Sequence, residues 1–410
     1  MTTNISLFFI SCPTGLEGIL ETELTLLGIP IGDQQLGVGG ISFQATANHG
    51  FDALLKSRVA SRVFLHLFDF NFRQEKEIFQ KALKKKWDDY LELQQTFKIT
   101  TILDRPSSKH FKNSLVLSQI LKDGIADYFR QKKGERPSVD TKNPDQRFLL
   151  RIEDDPTNRA FKATIWLDLC GDPLSNRGYR RPGHVAPLRE NLAAGIIQLT
   201  DWRKEREPFI DLFCGSGTLL IEGLLIAKDI SPSYLKVKSY LTGRSTPWSF
   251  MRNPWYTAQK QLGAQVDQQL KKLDQENSKS LKKKISSHFF GIDIDPRALG
   301  LAKENIDRAL LSGQILLGVG DARKNPPPIA PPGIVVGNLP YGERIEIPLE
   351  ELKNLYHDTG ENLKANYKGF RAYFLTSHSD LRKQIALATS KRVELFNGDI
   401  ECRLLRYDLY

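Results

Sequence analysis

From about residue 190 the chain alternates short apolar runs with segments of helical periodicity. The apolar runs lie at 209–213, 289–293, 314–318, 334–336 and 370–376. Strands that alternate with helices form parallel sheets. Near the C-terminus, Asn397-Gly398 separates two alternating runs, which is the pattern of a β-hairpin. We therefore predict an α/β domain whose parallel sheet ends in an antiparallel hairpin.

The first half of the chain has a different, α+β pattern. Strands are predicted at 5–10, 41–45, 97–103, 148–152 and 160–169, and helices at 15–27, 50–60, 75–91 and 113–129. These elements predict modules at 1–60 and 61–170, a linker at 171–190 and the α/β domain at 191–410. A polar stretch at 231–287 is predicted to be a helical insertion with a mobile end at 282–284.

Composition limits the classes of protein that fit. The chain has 410 residues, 40% of them hydrophobic, and a formal net charge of +10. No run approaches the roughly 20 apolar residues of a membrane span. The four cysteines are scattered without a CxxC pair, so we expect neither disulfides nor a metal site, and a cytoplasmic location. The positive charge favours a polyanionic partner.

A glycine turn and three aspartates predict a cofactor site. Gly215 and Gly217 follow the first strand, and Leu220 occupies the third glycine position of a dinucleotide fingerprint. Asp211, Asp293 and Asp321 each lie at the end of a predicted strand, where ligands of open α/β sheets bind. Carboxylates there suit an amine, a ribose and an adenine amino group. The ligand with these groups and no phosphate is S-adenosylmethionine.

The sequence Asn338-Leu339-Pro340-Tyr341 follows the fourth apolar run. The Asn338 amide oxygen and the Leu339 carbonyl can accept both hydrogens of an amine. Pro340 restricts the residue before it to extended geometry, and Tyr341 can stack on an unpaired base. This loop is therefore predicted to be a catalytic socket for a flat molecule that bears an NH₂ group.

With these motifs, the chain resembles the class I S-adenosylmethionine-dependent methyltransferases. It is more narrowly similar to the RNA guanine-N2 methyltransferases with a THUMP domain, especially those of large-subunit ribosomal RNA. Segments 175–191, 211–222, 291–296 and 338–344 carry the resemblance. One departure is Leu339, where the family usually has proline. Asn-Leu-Pro-Tyr also occurs in ribosomal RNA adenine dimethyltransferases.

The resemblance implies a fold, an activity and site residues. The fold is a ferredoxin-like module and a THUMP RNA-binding module before a Rossmann-like methyltransferase domain. The activity is methylation of a guanine N2 amine in 23S ribosomal RNA, by a monomer or weak homodimer. The implied cofactor-binding residues are Asp211, Phe213, Gly215, Gly217, Thr218, Asp293, Ile294, Asp321, Ala322, Arg189 and Asn191. Expected RNA contacts are Lys84, Lys85, Lys86, Arg177, Arg180, Arg181 and Arg344.

Four alternatives remain open from the sequence. The same socket could accept a guanine of transfer RNA or the N6 amine of an adenine. The chain could also be an RNA-binding assembly factor with an inactive methyltransferase domain, although the residues of both motifs are intact. A nicotinamide dehydrogenase fits least well, because of Leu220.

Overall fold

The computed structural model describes residues 5–31, 36–37, 39–181, 188–341, 347–377 and 380–410, which include two seven-stranded sheets. The strands are β1 (Ile5–Ser11), β2 (Leu36–Gly37), β3 (Gly40–Thr46), β4 (Arg62–Phe72), β5 (Phe97–Leu103), β6 (Gln146–Asp155), β7 (Ala160–Asp168), β8 (Phe209–Asp211), β9 (Phe289–Asp293), β10 (Leu316–Val319), β11 (Gly333–Asn338), β12 (Phe370–Thr376), β13 (Thr389–Asn397) and β14 (Ile400–Asp408). The helices are α1 (Glu17–Leu26), α2 (Ala47–Lys56), α3 (Lys76–Lys84), α4 (Arg105–His110), α5 (Ser114–Lys133), α6 (Glu190–Leu199), α7 (Thr218–Ala227), α8 (Tyr234–Leu241), α9 (Pro254–Thr257), α10 (Lys260–Lys282), α11 (Pro296–Arg308), α12 (Leu349–Asn366) and α13 (Leu381–Gln384). None of the described helices is both long enough and apolar enough to span a bilayer.

The first sheet runs continuously through both predicted N-terminal modules. Its strand order is β2-β3-β1-β4-β7-β6-β5. The central strand β4 is absent from the sequence prediction, and it pairs with β1 on one side and β7 on the other. A register shift between His66 and Phe68 interrupts its alternation of buried and exposed residues. The predicted division between residues 60 and 61 therefore falls just before a strand that joins the two modules.

The predicted helix at 75–91 is wrong in its second half. Helix α3 ends at Lys84, because Lys85 has the extended backbone angles φ −77° and ψ 138°. A short 3₁₀ turn follows, and Trp87 within it is completely buried. The Trp87 indole N–H donates to the Ala82 carbonyl at 2.7 Å. The chain thus turns inward at the basic run instead of presenting it along a longer helix.

The second sheet confirms the predicted α/β class. Its strand order is β10-β9-β8-β11-β12-β14-β13. The first five strands are parallel, and β14 and β13 add the antiparallel hairpin. The order reverses direction between β8 and β11. Such a switch point opens a crevice at the carboxyl ends of the strands, where ligands of these sheets bind.

The 231–287 insertion is mainly helical, as predicted, and its end at 282–284 is exposed, so the mobility expected there stays a prediction. Helix α10 runs to Lys282, and the Lys283 ammonium lies 3.3 Å from the Asp229 carboxylate. The insertion also contacts the N-terminal half, since the Asn253 amide donates to the Tyr90 carbonyl at 2.7 Å. It therefore joins the two halves of the molecule.

A buried polar network also fixes the N-terminal module to the methyltransferase domain. The Glu23 carboxylate accepts from the Ser57 hydroxyl at 2.6 Å and from the Gln198 amide at 2.7 Å. The Arg58 guanidinium donates to the Ile230 carbonyl at 2.7 Å, just beyond α7. Buried charged groups that lose such partners are costly, so this interface is specific in its geometry.

Candidate functional site

Four predicted site residues lie at the carboxyl ends of neighbouring strands. In sheet order they are Asp321 after β10, Asp293 at the end of β9, Asp211 at the end of β8 and Asn338 at the end of β11. Adjacent strands are about 4.8 Å apart, so these strands span roughly 15 Å. Asp211 and Asn338 are on the two sides of the switch point. The edge thus presents three carboxylates in a row that leads to the Asn338 amide.

The glycine turn has the conformation that a close ligand requires. Gly215 and Gly217 have φ of +50° and +79°, a region that favours glycine. A Cβ at Gly215 would meet no neighbouring atom closer than the Phe213 carbonyl oxygen at 4.0 Å, so the space beside it is open. Gly217 is the residue before α7, whose first turn begins at Thr218. The turn therefore offers backbone to a ligand at the N-terminal end of a buried helix.

Asp211 is a buried carboxyl group in a position suited to an ammonium. Its side chain is 1% exposed and accepts from the Phe213 backbone N–H at 3.0 Å. Burial, with a smaller contribution from the charge of Asp293, raises the pKa of Asp211 to about 8 against the opposing effect of the Phe213 hydrogen bond. An amine that binds here with its positive charge would stabilise the ionised carboxylate.

This burial predicts that Asp211→Asn stabilises the cofactor-free protein as pH rises. In the unfolded chain Asp211 ionises near pH 4, whereas in the folded protein it keeps its proton to about pH 8. The unfolding free energy of the wild type therefore falls through this window, by about 1.4 kcal/mol per pKa unit, and asparagine avoids that loss. We expect the melting temperature of the variant minus that of the wild type to increase between pH 6 and 8.

Asp295→Asn is the matched control, because Asp295 is on the same edge but its pKa is lowered by the Arg297 side chain. Both its folded and unfolded forms are ionised above pH 6, so its melting difference should stay flat with pH. A flat profile for Asp211→Asn would contradict the buried, protonated state of Asp211.

Asp293 joins the glycine turn to the next strand. One of its carboxylate oxygens accepts from the Gly215 N–H at 2.8 Å, and the other accepts from the Asp295 N–H at 2.9 Å. A carboxylate has about four acceptor positions, so both oxygens can still accept ribose hydroxyls. Ile294, the next residue, is 63% exposed, which leaves its apolar surface available to a flat ligand.

Asp321 differs from the other two aspartates because it has a cationic partner. The Arg323 guanidinium donates to both Asp321 oxygens, the closest at 2.7 Å, and its hydrogen bonds lower the pKa of Asp321. Ala322 is buried, and its carbonyl accepts from the Asn362 amide at 2.8 Å. An adenine amino group at Asp321 would therefore share the carboxylate with Arg323.

The Asn338 amide oxygen is the most informative atom of the site. It is buried and has no hydrogen-bond partner within the residues that the structure describes. The next residue, Leu339, is 1% exposed, and its N–H donates to the Leu375 carbonyl of β12 at 3.1 Å. A buried acceptor without a donor costs free energy, and an amine hydrogen at this strand end would supply the donor that the described residues do not.

The remainder of the predicted socket is fixed from two sides. The Tyr356 hydroxyl of α12 donates to the Pro340 carbonyl at 3.0 Å. The Tyr341 hydroxyl accepts from the Asn397 amide at 3.2 Å, and lies 3.6 Å from the Cys402 sulfur. Burial raises the pKa of Tyr341, so this hydroxyl stays neutral. The terminal hairpin thus restricts the rotation of the Tyr341 side chain.

The linker residues predicted to bind RNA contact the protein itself. Arg177 is 2% exposed, donates to the Leu174 carbonyl at 2.8 Å and to the Arg58 carbonyl, and lies 3.7 Å from Glu222. The prediction of RNA contact is wrong for Arg177, because a buried guanidinium cannot reach a phosphate. At this position the arginine of the linker segment therefore stabilises the fold.

Arg180 contacts the start of α7, directly after the glycine turn. Its guanidinium bonds to Glu190, to the Leu188 carbonyl at 2.6 Å and to the Thr218 hydroxyl at 3.2 Å. Arg181 is exposed and its side chain lies 3.5 Å from Glu304. The RNA contact expected of Arg180 is therefore replaced by a link between linker and cofactor helix, while that of Arg181 stays a prediction.

Two other family-implied cofactor residues begin helix α6. Arg189 precedes the helix and is exposed. Asn191 is 1% exposed, and its amide donates to the Ser61 hydroxyl at 2.9 Å and to the Val59 carbonyl at 3.3 Å. Asn191 therefore uses its donor on the N-terminal module, and its cofactor role stays a prediction.

The Lys84–Lys86 run divides into exposed and structural side chains. Lys84 and Lys86 are exposed, and Lys86 pairs with Asp89 at 2.5 Å. Lys85 is half-buried, donates to the Leu67 carbonyl at 3.3 Å and lies over the Phe68 ring. Lys85 is therefore a structural residue, whereas Lys84 and Lys86 remain candidates for phosphate contact. Arg344 is outside the described residues.

Three residues that sequence reasoning missed complete the site. Arg323 pairs with Asp321, Tyr356 holds Pro340, and Asn305 donates to the Ser216 carbonyl of the glycine turn at 3.0 Å. Only Arg323 had a sequence signal, which is its spacing of two residues from an aspartate in a loop. The four cysteines are buried and free, and the described residues contain no cluster of side chains suited to a metal ion.

Matches to known protein families cover nearly the whole chain. A family model described as RMKL-like, methyltransferase domain, matches residues 177–406, which is more than half of the chain. A THUMP domain matches residues 72–157, and an RlmL ferredoxin-like domain matches residues 7–64. The three matches follow the order of domains that the sequence motifs implied.

Two curated relatives are named ribosomal RNA large subunit methyltransferase K/L. The protein of Marinomonas sp. (strain MWYL1) is 32% identical over 404 residues, 98% of this chain and 52% of its own length. That of Allochromatium vinosum is 35% identical over 413 residues, with 98% and 52% covered. This chain therefore spans about half the length of the curated relatives it matches.

A solved structure from Listeria monocytogenes, described as a predicted N6-adenine-specific DNA methylase, has a TM-score of 0.77 and 26% identity, and the match covers 99% of this chain and 97% of that one. The open Gly215 turn, the buried Asp211 and the Asp293 carboxylate beside that turn fit S-adenosylmethionine, the cofactor of class I methyltransferases. The chain belongs to the RMKL-like methyltransferase family, with ferredoxin-like and THUMP domains before a class I S-adenosylmethionine-dependent domain.

Proposed function

We propose that this chain transfers a methyl group from S-adenosylmethionine to the exocyclic N2 amine of a guanine in large-subunit (23S) ribosomal RNA. The observation that carries the proposal is the Asn338 amide oxygen, which is buried at the switch point of the sheet and has no partner among the residues that the structure describes. A planar amine supplies the donor that this oxygen lacks. Asp211 lies on the neighbouring strand, so the cofactor and the amine would meet there.

The residues of the loop would act mainly by positioning. S-adenosylmethionine supplies a methyl group on a cationic sulfur that departs as a neutral thioether. Asn338 and the Leu339 carbonyl would accept the two amine hydrogens, which aims the nitrogen lone pair at the methyl carbon. Once the N–C bond has formed, the cationic amine loses its proton to solvent, so the chain needs no strong general base.

The target base has to leave its stack to reach this crevice. Flipping a base costs about a few kcal/mol, and stacking on an aromatic ring recovers roughly 1–3 kcal/mol. Tyr341 is the candidate ring, and its bonds to Asn397 and Cys402 keep it in place before the base arrives. A ring that is already ordered loses little further conformational entropy on binding.

Several features favour RNA as the carrier of the amine. The THUMP match and the formal charge of +10 favour an RNA substrate, and the name of the curated relatives favours ribosomal RNA among them. The exposed cations Lys84, Lys86 and Arg181 are available for phosphate contacts, which weaken as salt rises. A guanine of transfer RNA would use the same socket and stays an alternative.

Adenine N6 is the second candidate, because two observations favour it. Leu339 gives the Asn-Leu-Pro-Tyr sequence seen in adenine dimethyltransferases, and the Listeria structure is described as an adenine-specific DNA methylase. The position of Leu339 contributes a backbone carbonyl, and its side chain is buried away from the crevice surface. Leucine instead of proline therefore alters the packing beneath the loop, and it leaves unchanged the backbone carbonyl that would face a base.

Labelled methyl transfer to separated RNAs tests the proposal. The purified chain and radioactive S-adenosylmethionine are incubated with ribosomal RNA and transfer RNA from cells that lack this protein, and the products are digested to nucleosides. We expect label in N2-methylguanosine of large-subunit ribosomal RNA. Label in N6-methyladenosine, or only in transfer RNA, would overturn the substrate. Absence of label together with tight cofactor binding would favour an assembly factor.

A further inference from the structure

The catalytic loop is held by groups outside its own sequence. The Leu339 N–H is fixed by the Leu375 carbonyl at 3.1 Å, and the proline ring fixes the next backbone angle. The Pro340 carbonyl accepts from the Tyr356 hydroxyl at 3.0 Å. The Leu339 carbonyl lies between these two points, so its direction follows from both.

The hydroxyl of Tyr356 is part of a directed chain of hydrogen bonds. Its single hydrogen goes to the Pro340 carbonyl, because a carbonyl can only accept. The Thr376 hydroxyl, 2.9 Å away, must then donate to the Tyr356 oxygen. Tyr356 is 0% and Thr376 is 1% exposed, and chains of bonds in such surroundings strengthen one another.

We infer that Tyr356 is a positioning residue for methyl transfer, which sets the direction of the Leu339 carbonyl by holding the Pro340 carbonyl. The inference rests on the proposed function, since it concerns the same amine socket. Tyr356 touches neither cofactor nor substrate in this scheme. It acts from α12 through one backbone carbonyl.

If Tyr356 had only a structural role in the core, we would expect a different result. Its hydroxyl would serve to satisfy a buried carbonyl, and the loss of that bond would lower stability without a specific effect on the reaction. Tyr234 provides that comparison, because its buried hydroxyl donates to the Ala309 carbonyl at 2.6 Å, away from the loop. The two tyrosines therefore form a matched pair.

Tyr356→Phe and Tyr234→Phe are compared in the full chain with labelled S-adenosylmethionine and ribosomal RNA. We expect Tyr356→Phe to lower kcat by about 10- to 100-fold, because a displacement near 1 Å at a reacting group costs about that much. KM for RNA and the Kd of S-adenosylmethionine should change by less than about twofold. Tyr234→Phe should lose stability only, and Thr376→Val should lower kcat in the same direction by a smaller factor.

Hydrogen exchange provides a readout that needs no substrate. In Tyr356→Phe, the peptide that contains Leu339 and Tyr341 should exchange faster than in the wild type, while the peptide around Ala309 should not. Unchanged exchange in that loop, or equal falls in kcat for Tyr356→Phe and Tyr234→Phe, would overturn the inference. A wild type that binds cofactor and methylates no RNA contradicts the proposed function, and the exchange comparison then still decides the role of Tyr356.

Discussion

Asn338→Ala should lower the rate of methyl transfer by about 10²–10³-fold or more, the range found when one preorganised group is removed from a reacting centre. The alanine removes the oxygen that accepts from the target amine, so the lone pair is no longer directed at the methyl group. The Kd of S-adenosylmethionine should change little, because the carboxylates proposed to bind the cofactor lie on β8, β9 and the loop after β10. Single-turnover rates and calorimetry measure the two quantities separately.

The same substitution should leave stability intact. Among the residues that the structure describes, no donor reaches the buried Asn338 amide oxygen, which costs about 1–3 kcal/mol. We therefore expect a melting temperature no lower than that of the wild type. The matched control is Asn277→Ala, since Asn277 is buried but bonds to the Ser231 N–H at 2.8 Å and to its hydroxyl at 3.1 Å. That control should lose stability and keep activity.

An Asn338→Ala protein with wild-type kcat would exclude the assigned role of the amide. Asn338→Asp refines the comparison, because a carboxylate keeps two acceptor oxygens but adds a charge in a buried position. We expect its rate to lie between those of the wild type and the alanine variant. This ranking would separate the need for an acceptor from the need for a neutral group.

The cofactor edge was predictable from sequence because each of its parts is local. Asp211, Asp293 and Asn338 each end an apolar run, and parallel strands bring such ends to one edge whatever the helices between them do. The hairpin was predictable for the same reason, since Asn397-Gly398 is a local turn signal, although Asn397 ends β13 and the turn residues are Gly398 and Asp399. The sequence did not predict that β8 and β11 are neighbours, and this strand order places Asn338 beside Asp211.

The basic linker shows where local reasoning fails. Arg177 and Arg180 are close in sequence to exposed Arg181, and a run of cations resembles an RNA-binding surface. Their actual partners include Glu222 and Thr218, about 40 residues later in the chain, which no spacing rule could identify. Of these three arginines, only Arg181 is on the surface, so only its positive charge is available for contact with RNA.

Strand β4 was missed for a related reason. Its apolar residues do not alternate cleanly, because a register shift follows His66 and because the strand is central in a sheet. The continuous sheet that results could not be foreseen from two modules read separately. The consequence is functional, since Glu23 and Arg58 then tie this sheet to the helices around the cofactor turn.

Asp293→Ala should weaken S-adenosylmethionine binding by at least about 100-fold. Hydrogen bonds to a charged group contribute about 1.5–3 kcal/mol each, and 1.4 kcal/mol corresponds to a factor of ten in Kd. The variant loses the acceptor for the ribose hydroxyls. It also releases the Gly215 N–H, which the Asp293 carboxylate holds at 2.8 Å, so the glycine turn loses its fixed shape.

Two further variants separate these effects in the same calorimetric titration. Asp293→Asn retains one acceptor for the Gly215 N–H, so its affinity should fall less than that of Asp293→Ala. Asp295→Ala removes the cap of α11, where the carboxylate accepts from the Arg297 N–H at 2.9 Å, together with an exposed ion pair to the Arg297 side chain, and should cost about 1 kcal/mol of stability. Its Kd should stay within about threefold of the wild type. If Asp293→Ala bound S-adenosylmethionine as tightly as Asp295→Ala, the Asp293 carboxylate would make no contact with the cofactor. The cofactor would then not bind at the end of β9.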